Sequence, residues 1–133
     1  MGNTTRRTHE TTDTSLTVLD AVGELEEATA SELAAHLDMA VSTVHKHLQT
    51  LVENGLLVKR DGTYQLGLKL FHLGTRAKQR DTRFTLARET VYDLADRTSE
   101  VVNFSVKENG RAITLFDSLE TGTLEGFQKG QYF

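Results

Sequence analysis

The stretch Ala40–Leu66, AVSTVHKHLQTLVENGLLVKRDGTYQL, decides how the rest of the chain is read. With Val44 as the zero of a helical wheel at about 100° per residue, Leu48, Leu51 and Val52 fall on its side, and Ala40 and Val41 flank them. That is an apolar stripe turned towards a core. The opposite face carries Ser42, Thr43, Lys46, Gln49 and Thr50, with His45 on a shoulder and no acid before Glu53. Gly55 follows, a residue that takes positive φ freely and so ends a helix. Leu56–Arg60 and Thr63–Leu66 then flank Asp61-Gly62, the dipeptide a type I′ hairpin turn prefers. The spacing predicts a helix over 40–54 and a hairpin over 56–66.

Upstream, Thr29-Ala30-Ser31-Glu32 matches a capping box and opens a short second helix, with Leu33, Ala34 and Leu37 inward. Ala34 is small where two helices must cross closely. Asp38-Met39 makes the turn, since aspartate tolerates the left-handed conformation better than most residues. A first helix is predicted to begin near Thr14 or Ser15, capped by Asp13 or Thr14, with Leu16, Val18, Leu19, Val22 and Leu25 as its stripe. Residues 1–13 are polar and aperiodic and are expected to form a mobile tail. Arg6 and Arg7 are the residues such an arm would carry into a DNA minor groove. Three helices and a hairpin, the third helix polar and basic outward, make the pattern of a winged helix-turn-helix DNA reader over 14–67.

The net charge of −4 runs against nucleic-acid binding until its distribution is considered. Glu10 to Asp38 holds eight acids and no Lys or Arg; Met39 to Arg80 holds seven bases against Glu53 and Asp61 alone. A phosphate backbone meets the local field, not the average. The absence of cysteine excludes a disulfide frame and thiolate metal sites and suits a cytoplasmic protein. No apolar run approaches the ~18 residues of a membrane span. Arg6-Arg7 is followed by polar residues, so it opens no export signal, and Arg6 spoils a myristoylation pattern at Gly2. His45 and His47 leave the helix on opposite shoulders, and His36 and His72 lack partners at ligand spacing, so no metal is expected. Glu24, Glu26 and Glu27 read as a solvated face. No nucleophile elbow, phosphate loop or paired-carboxylate motif appears, so neither catalysis nor a cofactor is expected.

Downstream, residues 68–79, LKLFHLGTRAKQ, predict a linker helix over 68–80. Leu70, Leu73 and Ala77 share one face, Lys69, Arg76 and Lys78 point to solvent or phosphate, and Gly74 is its weak point. Asp81 or Thr82 caps a further helix to Arg97, with Phe84, Ala87, Val91, Leu94 and Ala95 as its stripe. Past Glu100 the period changes to two. Val102, Phe104 and Val106 alternate with polar residues, Glu108-Asn109-Gly110 turns, and Ala112–Phe116 returns.

The runs Ser31-Glu32-Leu33-Ala34, Ser42-Thr43-Val44-His45-Lys46 and Leu51-Val52-Glu53-Asn54-Gly55-Leu56 resemble the N-terminal domain of IclR-type transcriptional regulators. Tyr64-Gln65-Leu66-Gly67-Leu68-Lys69-Leu70, with Leu73-Gly74, is similar to that family's strand-to-linker signature. The resemblance runs from about Ser15 to the C-terminus, with two departures. Lys46 stands where the family usually has arginine, putting a point charge in place of a bidentate fork, and His47 replaces a usual leucine. The resemblance implies that 81–133 opens a GAF-like effector-binding domain, incomplete here because the chain stops before the rest of the sheet. A small-molecule effector is then expected only in a longer form. The hairpin beyond Val101 is expected to pair with another chain or to be poorly ordered.

The resulting expectation is an α+β protein: a winged helix-turn-helix domain, a linker helix, then a truncated GAF-like helix and hairpin. Its function would be sequence-specific regulation of transcription as a homodimer on a pseudo-palindromic double-stranded operator. Ser42, Thr43, His45, Lys46, Gln49 and Thr50 would face the major groove, and Lys59, Arg60, Thr63 and Tyr64 the backbone. The alternative is a winged-helix module that binds protein and not DNA; it calls for an apolar or acidic outer face on the third helix.

Overall fold

Helix α1 runs Glu10–Leu25, a turn earlier than its apolar stripe predicts, in a computed structural model that describes residues 7–119. His9 is the cap residue and gives no side-chain bond; neither Asp13 nor Thr14 caps. Both lie inside the helix, where the hydroxyls of Thr14 and Thr17 donate to the carbonyls of Glu10 and Asp13. Glu10 and Asp13 in the first turn complement the helix dipole. Residues 10–13 thus leave the predicted tail; Arg7 is exposed, and Arg6 lies outside the described residues.

Helix α2, Ala30–Leu37, begins as predicted, with Thr29 Oγ1 accepting from Glu32 N at 3.2 Å. Asp38 closes it in the left-handed conformation, φ 52° and ψ 51°, and its N–H donates to the helix's last carbonyls. Helix α3, Val41–Glu53, follows directly. Strands β1, Leu57–Arg60, and β2, Thr63–Leu66, pair antiparallel, with Leu57 opposite Leu66 and Lys59 opposite Tyr64. Asp61 and Gly62 both have positive φ, 50° and 80°, as the type I′ turn requires. One pairing is not visible in the sequence pattern: Ala28, between α1 and α2, exchanges both backbone hydrogen bonds with Tyr64. It ties the hairpin to the start of α2.

The core of this first unit is one cluster: Val18, Ala21 and Val22 from α1, Leu33 and Ala34 from α2, Val44, Leu48 and Leu51 from α3, and Ala28, Leu57 and Tyr64. Leu16 and Leu25, predicted inward, are 49% and 37% exposed. Leu16 falls on the side of the wheel opposite Val18 and Val22, and Leu25, though on their side, is the last residue of the helix. At the exit of the hairpin, a Cβ on Gly67 would stand 2.5 Å from the Gly55 carbonyl oxygen. Only glycine lets these two backbone segments close up, and Gly67 N donates to Leu56 O at 2.8 Å.

Helix α4, Lys69–Gln79, buries none of its residues. The chain divides into two compact units between Leu73 and Gly74, inside this helix. The second unit contains α5, Thr82–Thr98, and the antiparallel pair β3, Asn103–Glu108, and β4, Arg111–Asp117. Its core is Val91, Leu115 and Phe116, with Phe84, Val102, Phe104, Val106 and Ile113 packed on it. A bulge between Phe104 and Ser105 leaves Leu115 without a partner. It breaks the alternation, so Thr114, Leu115 and Phe116 are buried in succession. Lys78, predicted to face solvent or phosphate, donates to Leu115 O at 2.7 Å and lies over the Phe116 ring.

Asp81 caps α5. Its Oδ1 accepts from Arg83 N at 2.9 Å, and its Oδ2 meets the Arg83 guanidinium at 2.7 Å. The Arg83 side-chain hydrogen bond, then the backbone N–H, hold the Asp81 carboxyl below its ordinary value of 3.8. The folded unit therefore gains stability from ionised Asp81 at neutral pH and loses it as acid protonates the group below pH 3.8. Both side chains reach water, so the effect is screened. Asp81→Asn, which keeps an acceptor but not the charge, is expected to flatten the acid limb of the unit's thermal-midpoint profile, followed by circular dichroism.

Candidate nucleic-acid interface

Burial of Val44, Leu48 and Leu51 fixes which way α3 faces. The three positions anchor one side of the helix, so Ser42, Thr43, His45, Lys46, Gln49 and Thr50 are all exposed. The outward surface is a row of hydroxyls, an amide, an imidazole and an ammonium, the groups that pair with base edges and phosphates. The Thr50 hydroxyl donates to Lys46 O at 3.0 Å, which leaves its oxygen lone pairs outward as acceptors. Neither His45 nor His47 gathers with other ligands. Among the described residues no three His, Cys, Asp or Glu groups are close enough to hold one ion. His36 does meet a carboxylate, Glu24 at 3.4 Å, from a different helix.

The wing presents its charges on both faces. Successive strand residues point oppositely, so Lys59 shares a face with Leu57 and Tyr64 while Arg60 lies on the other; both are exposed. The Lys59 ammonium stands 5.5 Å from the centroid of the Tyr64 ring, its stem lying along the ring and its charge reaching water. Tyr64 itself leaves the candidate set. It is 3% exposed and belongs to the core, because it alternates with Thr63 and Gln65 on the buried side of β2. Thr63 is half-buried, and its hydroxyl donates to Arg60 O at 2.9 Å, bracing the turn.

Two supports for α3 escaped the sequence reading. The Lys69 ammonium, from the first turn of α4, donates to Asn54 O at 2.9 Å and caps the end of α3; a cation there also opposes the helix dipole. Its position fifteen residues downstream gave no local signal. His47, on the edge of the core, is hydrogen-bonded to Ser15 of α1. The folded geometry thus brings the α3 candidates onto one exposed helix face and sets Lys59 and Arg60 at the hairpin tip beside Asp61-Gly62.

Residues 11–61 match the model of the IclR helix-turn-helix domain. The chain is 31% identical over 103 residues to the probable HTH-type transcriptional regulator ArcR of Halobacterium salinarum, covering 77% of this chain and 39% of that protein. To the HTH-type transcriptional regulator BhcR of Paracoccus denitrificans it is 32% identical over 111 residues, 82% of this chain and 39% of the relative. The chain therefore spans 39% of the length of each of these regulators. The crystal structure of an IclR family transcriptional regulator from Brucella abortus shares its fold at a TM-score of 0.77 and 21% identity, over 99% of this chain and 51% of that one. The chain thus carries an IclR helix-turn-helix domain at residues 11–61 and is similar to HTH-type transcriptional regulators over most of its length.

Proposed function

We propose that this chain binds double-stranded DNA sequence-specifically as a transcriptional regulator, with α3 in the major groove and the wing on the backbone. The observation that carries the reading is the outer face of α3: exposed, rich in hydrogen-bonding groups, without an acid before Glu53, and beside a basic hairpin. Ser42, Thr43, His45, Lys46, Gln49 and Thr50 are the base-facing candidates. Lys59, Arg60 and Thr63 are the phosphate-facing ones. Residues 14–67 are the DNA-binding part, 68–80 the linker, and 81–133 belong to an effector-binding domain for a small molecule.

A homodimer fits this reading. Leu16 of α1 is 49% exposed, and Leu68 and Phe71, at and in the first turn of α4, are 85% and 75% exposed. These apolar groups make a surface for a second copy, and a two-fold pair of reading helices calls for a pseudo-palindromic operator. A cytoplasmic location suits the role; no helix among the described residues is long and apolar enough to cross a membrane. The test is selection of bound duplexes from a random pool. Enrichment of a two-fold related motif is expected, with half-sites about one helical turn apart. Failure to enrich any motif would contradict the reading and favour a protein-binding winged helix.

A further inference from the structure

Among the described residues, one hydrogen bond between side chains joins α3 to α1. Ser15 Oγ and His47 Nδ1 lie 2.7 Å apart, in a part-buried setting, with the bond's direction set by the imidazole tautomer. Ser15 and His47 are both half-buried. On the helix surface His47 lies at the boundary between exposed Thr43 and Thr50 on one side and buried Val44 and Leu51 on the other. The rest of the α1–α3 contact is apolar packing around Val18, Val22, Val44, Leu48 and Leu51. Such packing is non-directional and sets the distance between helices better than their roll. A hydrogen bond is directional and fixes roll.

We infer that the Ser15–His47 pair is a positioning device that sets the rotation of α3 about its own axis, so that His47, which touches no DNA, determines sequence discrimination. The inference rests on the DNA-binding reading above. A side-chain tip roughly 6 Å from the helix axis moves about 1 Å for a roll of about 10°. That displacement takes a base-edge hydrogen bond out of its narrow distance range. A lysine–phosphate attraction changes far less, because a point charge on a flexible stem follows its target. Loss of the pair should therefore reduce discrimination between duplexes and leave general affinity nearly intact.

The test compares the full chain with Ser15→Ala, His47→Leu, their combination and His47→Asn. The duplexes are a motif recovered by selection and its scrambled form. An asparagine amide places a polar atom where Nδ1 stands, whereas leucine fills the space without a hydrogen bond. Ser15→Ala and His47→Leu are each expected to weaken the selected duplex roughly 3- to 10-fold, the scale of one hydrogen bond, and the scrambled one less than about 2-fold. The combined variant should be no worse than either alone, and His47→Asn should restore discrimination. Equal losses on both duplexes, no loss at all, or additive single effects would overturn the inference. Ser15→Ala keeps the test decisive should His47→Leu misfold. A wild-type chain that fails to prefer its selected duplex overturns the DNA-binding reading, and this inference with it.

Discussion

Truncation of Leu48 to alanine is expected to destabilise the first unit by about 2–5 kcal/mol. Leu48 is fully buried, among Val18, Val22, Leu33, Val44, Leu51 and Leu57. These neighbours come from three helices and the hairpin, so no single element can collapse into the space its side chain leaves. The loss is the transfer free energy of the deleted carbons plus the cavity that remains. Domains are stable by only about 5–15 kcal/mol, so one truncation removes a large share of the margin. Leu48→Met, which conserves volume, should cost less than about 1.5 kcal/mol. Urea unfolding followed by circular dichroism checks both. A Leu48→Ala loss below that of Leu48→Met would contradict the packing described.

How much of this was legible in the sequence depends on where each signal sits. Helix α3, the Gly55 stop and the Asp61-Gly62 turn are local: a 3.6-residue stripe, one glycine and one dipeptide specify them, and all three stand as read. The start of α1 was misread because Thr11, Thr12, Asp13 and Thr14 show no apolar period. Exposed first turns need none, and α1 begins after His9 without a side-chain cap, leaving Asp13 and Thr14 inside the helix. Tyr64, expected among the backbone-facing residues of the wing, is buried in the core instead. Strand alternation with Leu66 already put it on the core side, and the phase of that alternation was the signal to use. The ties that orient α3 were beyond sequence reading. Ser15 and His47 are 32 residues apart, Lys69 and Asn54 fifteen, and Ala28 and Tyr64 pair across two helices. Such pairs exist only once the chain is folded. The candidate contact face was legible because periodicity says which residues point away from a core; what those residues touch lies in another molecule.

Changing Lys46 to alanine is expected to cost about 1–3 kcal/mol on the preferred duplex and less on a scrambled one. Lys46 is exposed, one turn into α3 and opposite the buried Val44–Leu48 side. In a major groove that position reaches the acceptors of guanine or the flanking phosphate. Lys59 and Arg60 sit at the hairpin tip on opposite faces, and phosphate is their expected target. Their joint change to alanine should weaken both duplexes by similar factors. The direct measurement is binding of wild type, Lys46→Ala and Lys59→Ala/Arg60→Ala to both duplexes across a series of salt concentrations. The account predicts loss of discrimination in the first variant. In the second it predicts a log–log salt slope flatter by up to about two, or about one where only one face of the wing meets the backbone. Equal losses on both duplexes for Lys46→Ala would make that residue a phosphate clamp. Unchanged binding by both variants at low salt, where charge contacts weigh most, would contradict the proposed surface.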